Sequence, residues 1–177
     1  MYGYKNKLAI EYIFKPQTFD LNMDFEDVKK RYGVLAKKYA LPSFKDVSEQ
    51  FELEKIDVDS DCFARIIRKT MMDKVVNSLG FLEMLLNPVN APRIYLHFIK
   101  NMNMDDKRII EKAYDIFGEL SLTCLALELS YSEKKEADMI KRIFKEWEGI
   151  RPDFIELMNR IAKPHNSTIK KEKSYFG

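Results

Sequence analysis

Glu128 stands in the run CLALELSY, with Leu125 and Leu129 beside it. A carboxylate held on a buried apolar face loses hydration. Its pKa then rises, which is how general acids and bases are made. A structural role competes for the same residue. It would be a carboxylate paired with Arg65, Arg68 or Lys74 from another helix, or one at the edge of a bundle. Structural ion pairs also perturb pKa values, and the pairing is the favoured expectation.

The second candidate is Arg160-Ile-Ala-Lys-Pro-His165. Its spacing resembles the R-x4-H motif of the HEPN superfamily, all-α bundles whose members include RNA-cutting nucleases. The resemblance implies that Arg160 and His165 would handle a scissile phosphate. It covers six residues and a general helical character. The plainer reading is a helix-ending arginine and a histidine in the tail.

Metal chemistry finds little support. A di-iron bundle needs Glu-x-x-His on two helices, because an i, i+3 pair points both ligands inward. Here position 94 before His97 is Ile, and position 162 before His165 is Ala. Cys62, Cys124, His97 and His165 are too scattered for the clustered spacing of a zinc site. His97 reads as a hydrogen-bonded residue on an interhelical surface. There is no Gly-rich phosphate loop, no G-x-S-x-G elbow and no zincin motif. No metal or cofactor is therefore expected.

Nucleic acid is a further candidate partner. Lys163, Lys170, Lys171 and Lys173 precede Ser-Tyr-Phe near the end of the chain. Lysines beside aromatics can meet a phosphate backbone and stack bases. A solvated basic terminus explains the same residues. The net charge is only +2, which by itself does not point to nucleic acid.

The elements that must position these residues follow from periodicity. Ile110, Ala113, Phe117, Leu120, Cys124, Leu127 and Tyr131 recur at steps of three and four, a helical stripe. Leu122, Leu125 and Leu129 form a second apolar row beside it. That double face predicts a central helix over about 105–130, touched on more than one side. Phe63, Ile67, Met71, Val75, Leu79, Leu82 and Leu86 predict a second long helix over about 60–87, stopped by Asn87-Pro88. A shorter helix after Pro92 joins the two.

Upstream, Phe25, Val28, Tyr32, Leu35 and Tyr39 predict a helix with Asp24 as its cap. Ser43 and Asp46 mark the start of a short helix carrying Val47 and Phe51. Downstream, Ser130 to Glu133 has capping-box spacing. Ala137, Ile140, Phe144 and Trp147 then predict an outer helix ended by Gly149. Pro152 opens a last one that buries Ile155, Met158 and Ile161.

The expected fold class is all-α: six to eight helices around two long central ones. Residues 1–23 form a segment read as strand or short helix, 24–163 one helical domain, and 164–177 a mobile basic tail. With 46% apolar and 33% charged residues and six each of Gly and Pro, the chain is globular with few turns. The start is not a signal peptide, and no apolar run reaches the roughly 18 residues of a membrane span. Cys62 and Cys124 read as reduced packing residues, which places the protein in the cytoplasm.

Three functions then stand in order. The first is a soluble noncatalytic interaction or scaffold module that binds a protein partner or itself, since apolar helix faces are in surplus. An exposed apolar patch above about 400 Å², or a dimer burying one, would mark it. The second is a nucleic-acid-associated protein using the basic tail. The third is a HEPN-like ribonuclease using Arg160 and His165.

Overall fold

The computed structural model describes residues 21–53, 56 and 60–161. Its six α-helices are α1 (Leu21–Tyr39), α2 (Phe44–Phe51), α3 (Phe63–Leu86), α4 (Arg93–Asn101), α5 (Met104–Glu128) and α6 (Glu133–Ile161). One turn of 3₁₀ helix, Pro88–Asn90, links α3 to α4. The described residues are thus all-α, as the periodicities require.

Local chemistry sets the boundaries. The Ser43 hydroxyl oxygen accepts the Asp46 amide at 3.1 Å and starts α2. α3 stops at Asn87, because the residue before Pro88 avoids helical geometry. α5 opens on a reciprocal cap: Asn103 Oδ1 accepts the Asp106 amide at 2.8 Å, and Asp106 Oδ2 accepts the Asn103 amide at 2.9 Å. The α1 helix begins at Leu21, three residues before the expected cap at Asp24.

The three longest helices, α3, α5 and α6, pack against one another. α1 lies on α6, and α2 and α4 lie on α3. Ile67, Met71, Phe117, Leu120, Ile140 and Ile143 are fully buried where the three meet. Phe117 stacks on Trp147 with ring centres 5.8 Å apart, fixing α5 against α6. The ties Arg68–Glu128 and Glu83–Tyr114 run α3 antiparallel to α5.

Three expectations need correction. First, Gly149 does not end a helix: α6 continues through Gly149 and Pro152 for 29 residues. Pro152 lacks an amide proton, so the Glu148 carbonyl loses its helical donor. Trp147 and Ile150 before the proline, and Leu157 and Ile161 after it, are all buried. Tertiary burial on both sides carries the helix across the lost bond. The same burial makes α6 a third axial helix instead of an outer one. Second, α5 is touched on two sides, by α3 and α6, as expected of a central helix, yet its second apolar row stays exposed, as described below. Third, Ile155 is 48% exposed, because it points away from the stripe of Leu157 and Ile161.

Candidate functional site

Glu128 sits at the last turn of α5 and is tied to α3. Arg68 Nη2 donates to Glu128 Oε1 at 2.5 Å, and Lys69 Nζ lies 3.0 Å from Oε2. The Arg68 hydrogen bond, with Lys69 beside it, holds the Glu128 carboxyl below the usual range despite some desolvation. That is the opposite of a raised pKa. Of the partners named from sequence, Arg68 engages the carboxylate directly. Arg65 reaches the neighbouring Leu127 carbonyl at 2.8 Å. Lys74 turns elsewhere, donating to the Gln50 carbonyl.

The centre of this network is Glu136, in the first turn of α6 and fully buried. Arg65 Nε donates to its Oε1 at 2.8 Å and Arg68 Nε to its Oε2 at 2.7 Å. Burial works against the Arg68 charge, but Glu136 and Glu128 outweigh it and hold the guanidinium protonated. Arg65 also lies over the Tyr131 ring at 5.2 Å. Burial pushes the adjacent Cys124 thiol up, away from a reactive thiolate. Every carboxylate oxygen here has a cationic donor. The cluster locks three helices together and leaves no carboxyl poised to move a proton.

The periodic reading passed over Glu136. Its signal was present: Glu136, Ile140, Ile143 and Trp147 follow steps of four, three and four, so one charge falls on a buried stripe. A charge in that place demands partners.

Arg160 is also engaged. Its Nε and Nη2 approach Asp106 Oδ1 at 3.1 and 2.5 Å, and its Nη1 pairs with Glu156. Asp106 is only 2% exposed. The arginine therefore clamps the end of α6 onto the capped start of α5. His165 lies outside the described residues, as do Lys163, Lys170, Lys171 and Lys173. The backbone of His97 belongs to α4. Among the described residues, no group of three His, Cys, Asp or Glu side chains could hold a metal ion. None of their helices is long and apolar enough to cross a membrane.

What remains open is a surface. On α5, Leu122, Leu125 and Leu129 are 69%, 64% and 89% exposed. Their steps of three and four place them in one row. Gly118 continues the row by one turn and Ala126 flanks it, both small enough for another backbone to come close. Val76 of α3, 49% exposed, borders it. It lies midway between Arg68 and Glu83, as Ser121 lies midway between Tyr114 and Glu128, so the antiparallel register sets Val76 beside Ser121. Comparison with protein-family models, curated proteins and solved structures gives no match for this chain.

Proposed function

We propose that this chain is a noncatalytic helical interaction module that pairs with a second copy of itself through the Leu122, Leu125 and Leu129 row. One observation carries the reading: three leucines at helical spacing on one face of a central helix stay in water. Single exposed leucines are ordinary, whereas a contiguous row on one helix face is the kind of apolar surface that favours a docking partner.

Charge favours a second copy as the occupant. Before the row, α5 presents exposed Glu111 and Asp115. After it, α6 begins with exposed Lys134 and Lys135. Lys135 is two turns before Arg142, which faces α5 through Glu119. A two-fold pair with antiparallel α5 helices sets the acidic end of each row near the basic end of the other. Parallel pairing would set like charges together.

The magnitudes permit such a dimer. Burying six leucines contributes roughly 9–18 kcal/mol, at about 1.5–3 each. Association costs about 4–15 kcal/mol in lost freedom. A net surplus of about 8 kcal/mol, inside the span these two figures allow, corresponds to association at roughly micromolar concentration. The test is molar mass by light scattering, comparing the parent with a Leu122→Lys/Leu125→Lys variant. The parent should be a dimer and the variant a monomer.

The ribonuclease reading needs Arg160 at a phosphate, whereas Asp106 and Glu156 already occupy it. The nucleic-acid reading rests on lysines outside the described residues. Neither gains a supporting contact among the described residues.

A further inference from the structure

Independent of self-association, a cleft of about 630 Å³ opens between α3, the end of α2 and the second half of α6. Phe51, Phe81, Phe154, Ile56 and Met158 supply its apolar lining. Thr70, Lys74, Asn77, Ser78 and Phe81 recur at helical steps on α3 and mark the face that lines it. At 100° per residue, that face is roughly opposite the one tied to α5 through Arg68 and Glu83. The leucine row and the cleft are therefore separate surfaces.

The polar groups of the cleft divide unevenly between donors and acceptors. Thr70 donates its hydroxyl proton to the Ile66 carbonyl at 3.1 Å, and Ser78 donates to the Lys74 carbonyl at 2.9 Å. Both hydroxyl oxygens keep lone pairs to offer. Asp73 is exposed and makes no ion pair or hydrogen bond among the described residues. Among the described lining residues the cation is Lys74, and it is engaged: its ammonium donates to the Gln50 carbonyl at 2.5 Å and sits 5.5 Å from the centre of the Trp147 ring. An anion entering the cleft would meet Asp73 with no free cation among the described lining residues to offset it. A cation would meet a carboxylate, hydroxyl lone pairs and aromatic rings whose faces carry negative charge.

We propose that this cleft binds a small organic cation with an apolar body. Its size lies within the range of small-molecule sites, and its aromatic lining with a few polar groups has their character. The apolar part would cover Phe81, Phe154 and Met158, with the charged nitrogen near Asp73.

The experiment is a nuclear magnetic resonance titration of the full chain with benzyltrimethylammonium, and separately with 3-phenylpropionate as the anionic control. The Met158 methyl and the Asn77 side-chain amide report on the cleft. Saturable shifts at both with the cation, and none with the anion, are expected. Asp73→Asn should weaken the cation by about threefold to tenfold, the scale of one partly exposed charge contact. Asp73 is exposed, so this variant keeps its fold. Equal responses to cation and anion, no saturable shift, or an unchanged titration in Asp73→Asn would overturn the proposal.

Discussion

Cys124 and Leu125 are neighbours in sequence and opposites in environment. The cysteine is 6% exposed among the packed helices, and the leucine is 64% exposed on the far side of α5. One helical step of 100° separates the core from the proposed interface. The two apolar rows of this helix therefore face different surroundings. Cys124, Leu120 and Phe117 face the protein's own core. Leu122, Leu125 and Leu129 face out.

Removing the outward row should change assembly and not folding. Leu125→Lys is expected to give a monomer whose unfolding free energy stays within about 0.5 kcal/mol of the parent, as for surface substitutions elsewhere. Light scattering and urea unfolding on the same sample check both halves. A dimer of unchanged affinity would count against the interface.

The antiparallel arrangement has its own signature. Lys135→Glu should weaken the dimer, and adding Asp115→Lys should restore part of the loss, because the pair of charges is then exchanged across the interface. Dimer dissociation constants for the two single variants and the double variant measure the coupling. Additive losses would contradict the proposed orientation.

Glu136 lies under Arg65 and Arg68 with no exposure of its own. Replacing it with glutamine keeps the shape and removes the charge that compensates a buried guanidinium. Breaking a buried pair from one side costs about 3–5 kcal/mol. Glu136→Gln should lose stability on that scale in chemical denaturation, and an effect below about 1 kcal/mol would show the network to be peripheral.

Glu128 makes the fold sensitive to acid. Its carboxyl titrates lower in the folded chain than the ordinary 4.5, through Arg68 and then Lys69. A depressed folded pKa contributes stability fully above the unfolded value and loses it as pH falls through the folded one. Glu133 behaves alike through Lys38 and Tyr39. Stability measured between about pH 6 and about pH 3 should therefore fall, and Glu128→Gln should flatten part of that fall. A parallel curve in the variant would remove Glu128 from the acid response.

Pro152 is a cost the fold carries. Pro152→Ala restores a donor for the Glu148 carbonyl, and proline inside a helix costs about 3 kcal/mol relative to alanine. The variant should be more stable by about 1–3 kcal/mol in urea unfolding. A destabilised variant would mean that α6 depends on the local bend that proline imposes.

Much of this architecture could be read from periodicity. The stripes from Phe63 to Leu82 and from Ile110 to Cys124 are long and uninterrupted, and both helices formed within three residues of their expected ends. The stop before Pro88 and the cap at Ser43 were legible because each depends on one or two residues. The continuity of α6 was not. Gly149 and Pro152 are local breakers, and the burial of Trp147 and Leu157 that overrides them is a tertiary fact.

The chemistry near Glu128 was half legible. Arg68 was named as a partner because it shares a long apolar helix with residues facing α5. Lys69 and the buried Glu136 were not named, since the pairing of three helix ends depends on how α6 returns along α5. The row at Leu122, Leu125 and Leu129 was visible as apolar surplus. Sequence periodicity left its cover open between a helix of the same chain and a partner, and no described helix covers it. Periodicity shows that a face is apolar and carries no information about what lies against it.

The most direct measurement is the molar mass of the full chain by multi-angle light scattering, across concentrations from about 1 to 100 μM and at low and high salt, with Leu122→Lys/Leu125→Lys alongside. The account predicts a parent mass approaching twice the chain mass of 21.0 kDa, persisting at high salt, and a variant at the chain mass throughout. A parent that stays at the chain mass across the whole range, or a variant that still doubles, would contradict it.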